Sequence, residues 1–142
     1  MTTKSSGFSL IELLVVVAII GILSAVGVLS YTGYVQGAKR NSAENTIQQI
    51  ALAQSEHYSN TGSYYITGGT TSCTADSGSS EDIEDNLFEA ENAIPDNINF
   101  EICIFGDAAS YTVIAEETNT AAGEPICTIT VSKYGTPQRT NC

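Results

Sequence analysis

The sequence predicts an α+β fold. One long N-terminal helix, membrane-like in its first half and amphipathic in its second, packs on a small antiparallel β-sheet with a disulfide-bonded C-terminal region. Three observations carry this. Phe8 to Ala38 is an apolar run with one charge, Glu12. Ala43, Ile47, Ile50, Ala51 and Tyr58 fall on one stripe at helical spacing. Between Asn99 and Lys133, apolar residues alternate with polar ones at strand spacing. The chain's 142 residues allow one domain plus the helix, and no internal repeat is visible.

The apolar run comes first. Leu13 to Leu29 has no charge and is rich in Val, Ile and Leu. At about 1.5 Å of rise per residue it is long enough to cross a bilayer as a helix. A carboxylate near its start costs roughly 2.5–3.5 kcal/mol on insertion scales, so Glu12 implies a positive partner. An ordinary secretory signal would share the basic start and apolar core, but does not normally carry an early Glu. A plain single-span anchor that tolerates Glu12 is the other bland alternative. Positive charge is nearly silent on topology, because Lys4 on one side faces Lys39 and Arg40 on the other.

The helical pattern continues past the apolar run without proline, to about Ser59. A helix from Ser9 would be on the order of 75 Å long. Gly21, Gly27, Gly33 and Gly37 weaken it by about 1 kcal/mol each relative to alanine, so a bend or local melting is expected there. The Gly33/Gly37 spacing also suits close helix approach. Asn60, Thr61 and Gly62 end the helix. Thr67–Ser80 is Gly, Ser and Thr rich and reads as loop. Glu81–Glu91 is expected to form a short acidic helix capped by Ser79 or Ser80, with Ile83, Leu87 and Phe88 on one face. Three strands are expected at Asn99–Phe105, Tyr111–Glu116 and Ile126–Lys133. Gly106–Asp107 and Asn119–Gly123 supply the turns.

Charge narrows the function classes. The side-chain balance is −11, and there is no Lys or Arg between Arg40 and Lys133. Thirteen of the sixteen carboxylates lie from Asp76 to Glu124. Such a surface repels nucleic-acid backbone and anionic headgroups, so direct nucleic-acid binding is not expected. The bland reading is a solvated, solubilising face. Asp76, Glu81, Asp82, Glu84 and Asp85 are hard-oxygen ligand types, but their spacing matches no EF-hand loop. No metal site or cofactor is expected, with calcium at the acidic stretch left open. The single histidine, His57, has no nucleophile motif beside it and reads as a solvated surface residue, so no catalytic residue is expected and the chain is not an enzyme. Cys73, Cys103, Cys127 and Cys142 lack C-x-x-C spacing. In an oxidising compartment they read as two disulfides, for which sequence alone allows three connectivities.

Met1–Gly7 is a short polar leader with one basic residue, Lys4. It ends in Gly7, followed by Phe8, Ser9, Leu10, Ile11, Glu12 and Leu13. This resembles the class III signal of type IV prepilins. The resemblance implies a leader at 1–7, a membrane-spanning and filament-core helix at 8–38, and a soluble head at 39–142. It implies cleavage between Gly7 and Phe8 by prepilin peptidase and N-methylation of Phe8. The new α-ammonium of Phe8 would then meet the Glu12 carboxylate of a neighbouring subunit, an attraction that is large in low dielectric. The Cys127–Cys142 stretch resembles the C-terminal disulfide loop of this family, which leaves Cys73–Cys103 as the second pair. The stretch from Asn60 to Tyr64 resembles the family's turn after the long helix. One departure is Leu29, where many type IV pilins place a proline.

What the resemblance implies is a structural subunit of a type IV pilus serving adhesion, motility or DNA uptake. The subunit would rest in the inner membrane of a Gram-negative-type bacterium, then join an extracellular filament. Implied partners are other copies of the chain, prepilin peptidase, an inner-membrane assembly platform, minor pilins, and the membrane before assembly. Two rivals share the N-terminal motif: a pseudopilin of a type II secretion system, and a minor or competence pilin.

Overall fold

The computed structural model describes residues 7–90, 92–118, 120 and 123–142, apart from the side chain of Leu29. Helix α1 runs from Leu10 to Thr61 without a break at any of its glycines, where an added Cβ would meet open space. The expected loosening is therefore not present in this state: i→i+4 bonding outweighs four modest propensity penalties. The chain divides into two compact units between Ala38 and Lys39.

In the first unit every Leu, Ile and Val from Leu10 to Val28 with a described side chain is exposed. An 18-residue window of this stretch has a mean hydropathy of 2.8. By length and composition it can cross a membrane.

The second unit holds the core. Ala43, Ile47 and Ile50 of α1 are completely buried, as the stripe predicts. Tyr58 departs from it: 41 % exposed, it stacks on Tyr64 with ring centroids 4.6 Å apart. Two polar residues take its place in the buried face. Thr46 bonds back to the Ser42 carbonyl, and Gln54 donates to the Tyr65 carbonyl while accepting from the Tyr65 N–H. With both amide ends satisfied, Gln54 is buried without the penalty of an unpaired polar group. Gly62 closes α1 at φ +79°, its N–H donating to the Tyr58 carbonyl.

Helix α2 occupies Ser77–Ile83, followed by a π-helical turn at Glu84–Phe88. The expected helix over Glu81–Glu91 is thus corrected in start, cap and type. Asp76 is the cap, accepting from the Ser79 N–H, while the Ser79 hydroxyl accepts from the Asp76 N–H. That reciprocal box starts the helix four residues early. Ile83 is fully buried, and Leu87 and Phe88 lie half-buried against the core. Glu91 lies outside the described residues.

A 3-10 turn at Asp96–Ile98 leads into the sheet. Its strands are β1 (Phe100–Gly106), β2 (Tyr111–Glu117), β3 (Thr128–Ser132) and β4 (Gln138–Thr140). They form an antiparallel meander in sequence order. The register aligns Ile102, Ala115 and Ile129 in one row and Ile104, Val113 and Val131 in the next, all buried beside the α1 stripe. Cys103 points to the other face yet is only 1 % exposed, because its disulfide to Cys73 covers it. The second disulfide is Cys127–Cys142.

The outer edge of β1 is closed by hydroxyls. Thr67 accepts from the Ile104 N–H and Ser80 from the Ile102 N–H, while Ser79 donates to the Ile102 carbonyl. The residues that read as Ser/Thr-rich loop thus occupy the bonds another strand would use. At the β1–β2 turn, Gly106 has φ +147° and Asp107 accepts from the N–H groups of Ala109 and Ser110. The expected Asn119–Gly123 turn falls partly outside the described residues.

Candidate assembly site

Gly7 and Phe8 lie in exposed, non-helical chain ahead of α1, and Phe8 is 86 % exposed. A peptidase needs extended backbone at the scissile bond, and helix begins only at Leu10. Ser9 is the reason for that boundary. Its N–H donates to Glu12 Oε2 at 2.9 Å, and its Oγ accepts the Glu12 N–H at 3.3 Å. This is a reciprocal capping box, Ser-x-x-Glu, at the entrance to an apolar run. It places the Glu12 carboxylate back toward the chain end that cleavage at Gly7 would liberate. One oxygen is engaged by Ser9 in this state. Beside it, Phe8, Ile11, Val15 and Val16 line a shallow apolar hollow.

Sequence reasoning isolated Glu12 by its charge and missed Ser9. The signal was legible, since Ser or Thr three residues before Glu, opening an apolar run, is a cap signature. Among the described residues Glu12 touches no cation.

The head's basic side chains have their own arrangement. Arg40 pairs with Glu117 at 3.2 Å and donates to the Cys142 carbonyl at 2.9 Å. Arg139 bonds both Glu44 and Asn41 of α1. Lys133 donates to the Ala109 carbonyl and sits 4.9 to 5.7 Å from the ring centroids of Tyr64, Tyr134 and Tyr58. Hydrogen bonds to the Tyr134 and Tyr64 phenols hold its ammonium above the usual lysine range. His57 is not freely solvated as expected: half-buried, it meets Tyr65 edge-on at 5.9 Å. Among the described residues, no group of three or more His, Cys, Asp or Glu side chains could hold a metal ion.

Residues 2–28 match the family model of the prokaryotic N-terminal methylation motif. Residues 30–130 match the model described as type IV minor pilin ComP, DNA uptake sequence receptor. Among curated proteins, the fimbrial protein EcpC of Eikenella corrodens is 45 % identical over 56 residues, covering 39 % of this chain and 37 % of its own length. A type IV major pilin protein PilE1 of Neisseria gonorrhoeae is 39 % identical over 64 residues, covering 45 % and 39 % respectively. The type IV major pilin protein PilA of Myxococcus xanthus is 36 % identical over 56 residues, covering 39 % and 26 %. The matched stretches thus span well under half of each relative's length. No solved structure matches the chain. A methylation motif on an apolar helix, continuous with a family match over most of the remaining residues, decides the assignment: the chain is a type IV pilin and belongs to the family described as type IV minor pilin ComP, DNA uptake sequence receptor.

Proposed function

We propose that the chain is a minor subunit of a type IV pilus taking part in DNA uptake. In this reading prepilin peptidase cuts between Gly7 and Phe8 and methylates the Phe8 amine. The subunit waits in the inner membrane until the assembly platform extracts it into a filament with other pilins. The observation that carries the proposal is the apolar stretch from Phe8 to Val28, its Leu, Ile and Val side chains exposed and its one carboxylate, Glu12, near its start. Each large apolar side chain gains roughly 1.5–3 kcal/mol on leaving water, so the segment must be covered by lipid or by like helices. Lipid covers it equally well everywhere and has no use for Glu12. A neighbouring helix that offers a terminal ammonium does, and it fixes axial register as well.

The family's receptor description is weighed against this chain's own charges. A duplex-binding protein that makes about six to ten phosphate contacts needs free cations in number. Of the four basic residues from Lys39 onward, Arg40 and Arg139 are already paired with carboxylates and Lys133 lies beside tyrosine rings, which leaves Lys39, far short of that number. We therefore assign this subunit a place in the uptake filament and leave the grip on duplex DNA to another component.

Mass spectrometry of sheared filaments tests the first part. A chain beginning at Phe8 and heavier by one methyl group supports it, and recovery from membranes alone sinks it in favour of a secretion pseudopilin. Retention of duplex DNA by the processed full-length protein in nonionic detergent tests the second. Tight, salt-sensitive retention would show that the cation inventory misled us.

A further inference from the structure

We propose that the groove between the outward face of α1 and the π-helical turn is a docking site for a cationic peptide segment bearing apolar side chains, presented by a partner protein. The groove has a volume of about 450 Å³, and its lining includes Leu52, Glu56 and His57 from α1 and Leu87, Phe88 and Glu89 from the turn. Leu52, Leu87 and Phe88 give it apolar contact points among the amides of Gln49, Asn60 and Asn86, and Glu56 and Glu89 make it acidic. Leu52 is 72 % exposed although Ile47 and Ile50, on the opposite side of the same helix, are completely buried. It therefore contributes nothing to the core and presents a large apolar surface to water, next to the partly covered Leu87 and Phe88.

Charge selects the occupant. Arg40 and Arg139 neutralise Glu117 and Glu44, whereas Glu56 and Glu89 have no ion-pair partner among the described residues. The potential beside the groove is negative. Tyr65, in edge contact with His57, has its phenol pushed above the ordinary range first by burial and then by the Asp82 and Asp85 carboxylates. A second copy of this acidic head, or a nucleic acid, would add like charge there. Lys or Arg flanking a Leu or Phe anchor would meet the Glu56 and Glu89 carboxylates and the exposed Leu52 side chain. The inference does not depend on the filament proposal, because it concerns only residues of the head.

Its test uses the full-length protein in nonionic detergent with a photo-cross-linking amino acid in place of Leu52. The probes are a Lys/Leu amphipathic peptide and its Glu/Leu counterpart of identical pattern. The expected result is labelling at least about tenfold stronger for the Lys/Leu peptide, the scale of one decisive charge contact, and weakening with salt. The combined variant Glu56→Gln, Glu89→Gln should lower it several-fold without unfolding the head, since neither carboxylate has a structural bond to lose. The same photoreactive group in place of Tyr134, which is 88 % exposed and outside the groove, should label neither peptide preferentially. Equal labelling by both peptides, indifference to the glutamine variant, or capture of a second copy of the chain would each overturn the proposal.

Discussion

The two units of this pilin solve the same problem in opposite ways. In the head, Ile47, Ile50, Ile102, Ile104 and Ile129 are sealed at 0 % exposure, because a helix stripe and a sheet face close on each other within one chain. In the N-terminal unit, Ile11, Ile19, Ile20 and Ile22 are all more than half exposed on a helix with no second layer. Composition separates them in part, since Ile, Leu and Val are 15 of the 38 residues in the N-terminal unit but 15 of the 104 in the head. Period and closure separate them further. The head has a one-sided stripe and strands to meet it, while the N-terminal helix is apolar all round. The first closes its apolar face within one chain; the second leaves its apolar face open.

That contrast predicts a clean separation of defects. On the filament proposal, Glu12→Gln has the largest consequence: sheared filaments fall to background while the thermal midpoint of the head does not move. Filament yield and a melting curve on one preparation read both. Filaments at the usual number would remove the Glu12 pairing, and a shifted midpoint would show that the units are not independent.

The head should show the converse. Cys127→Ser with Cys142→Ser opens a loop of sequence separation 15 and frees the segment that includes β4. Loss of a native disulfide of this kind costs about 2–5 kcal/mol. Ile50→Ala leaves a cavity in the packed face and costs about 2–5 kcal/mol, at the upper end where the sheet cannot collapse into it. Asp76→Ala removes one arm of the α2 capping box and costs about 1 kcal/mol. Urea unfolding of each variant gives the numbers, and the ranking disulfide or core above cap is the point at issue. In all three, membrane insertion of Leu10–Ala38 should be unchanged.

The sequence made the N-terminal unit more legible than the head's periphery, for a physical reason. A charge-free run and one carboxylate are local facts, and so is the polar stretch that ends at Gly7. The core stripe of Ala43, Ile47 and Ile50 and the strand alternation at Phe100, Ile102 and Ile104 were equally readable, since period reports burial directly. The misses were set by tertiary contacts. Gln54 is buried because the Tyr65 backbone happens to meet both ends of its amide, and nothing in the helical period announces that. β4 is only Gln138–Thr140, fully exposed and without alternation, and exists because it pairs with β3 beside the Cys127–Cys142 bridge. The π-helical turn likewise has no pattern of its own. Ser9 and Asp76 are different: their caps were written in the local sequence, as Ser-x-x-Glu and as an Asp three residues before Ser79.

The smallest predicted effect is a slope in alkali, and it belongs to the head alone. Burial, then the Asp82 carboxylate, holds the Tyr65 phenol above its ordinary 10.0; burial, then Tyr64, does the same for Tyr111 against a counteracting Lys133. Below pH 10 these phenols are neutral in both folded and unfolded chains and contribute no pH dependence. Above it the unfolded chain releases their protons first, so stability falls as pH rises. Lys133 acts in the same direction. Its ammonium is held above 10.5 by the Tyr134 and Tyr64 phenols, so that contribution is complete below 10.5 and is lost as pH climbs through the raised folded value. Chemical unfolding of the processed protein in micelles should therefore show a midpoint free of tyrosine and lysine titration from neutrality to about pH 10, then a decline. Tyr65→Phe, which removes the phenol that donates to the Asp82 carbonyl, should make that decline shallower. Helix content of Leu10–Ala38 over the same range should stay level, because its cover is detergent and no titrating phenol of the head supports it. A decline shared by both units would mean that the head, rather than the surrounding apolar medium, holds the N-terminal helix in shape.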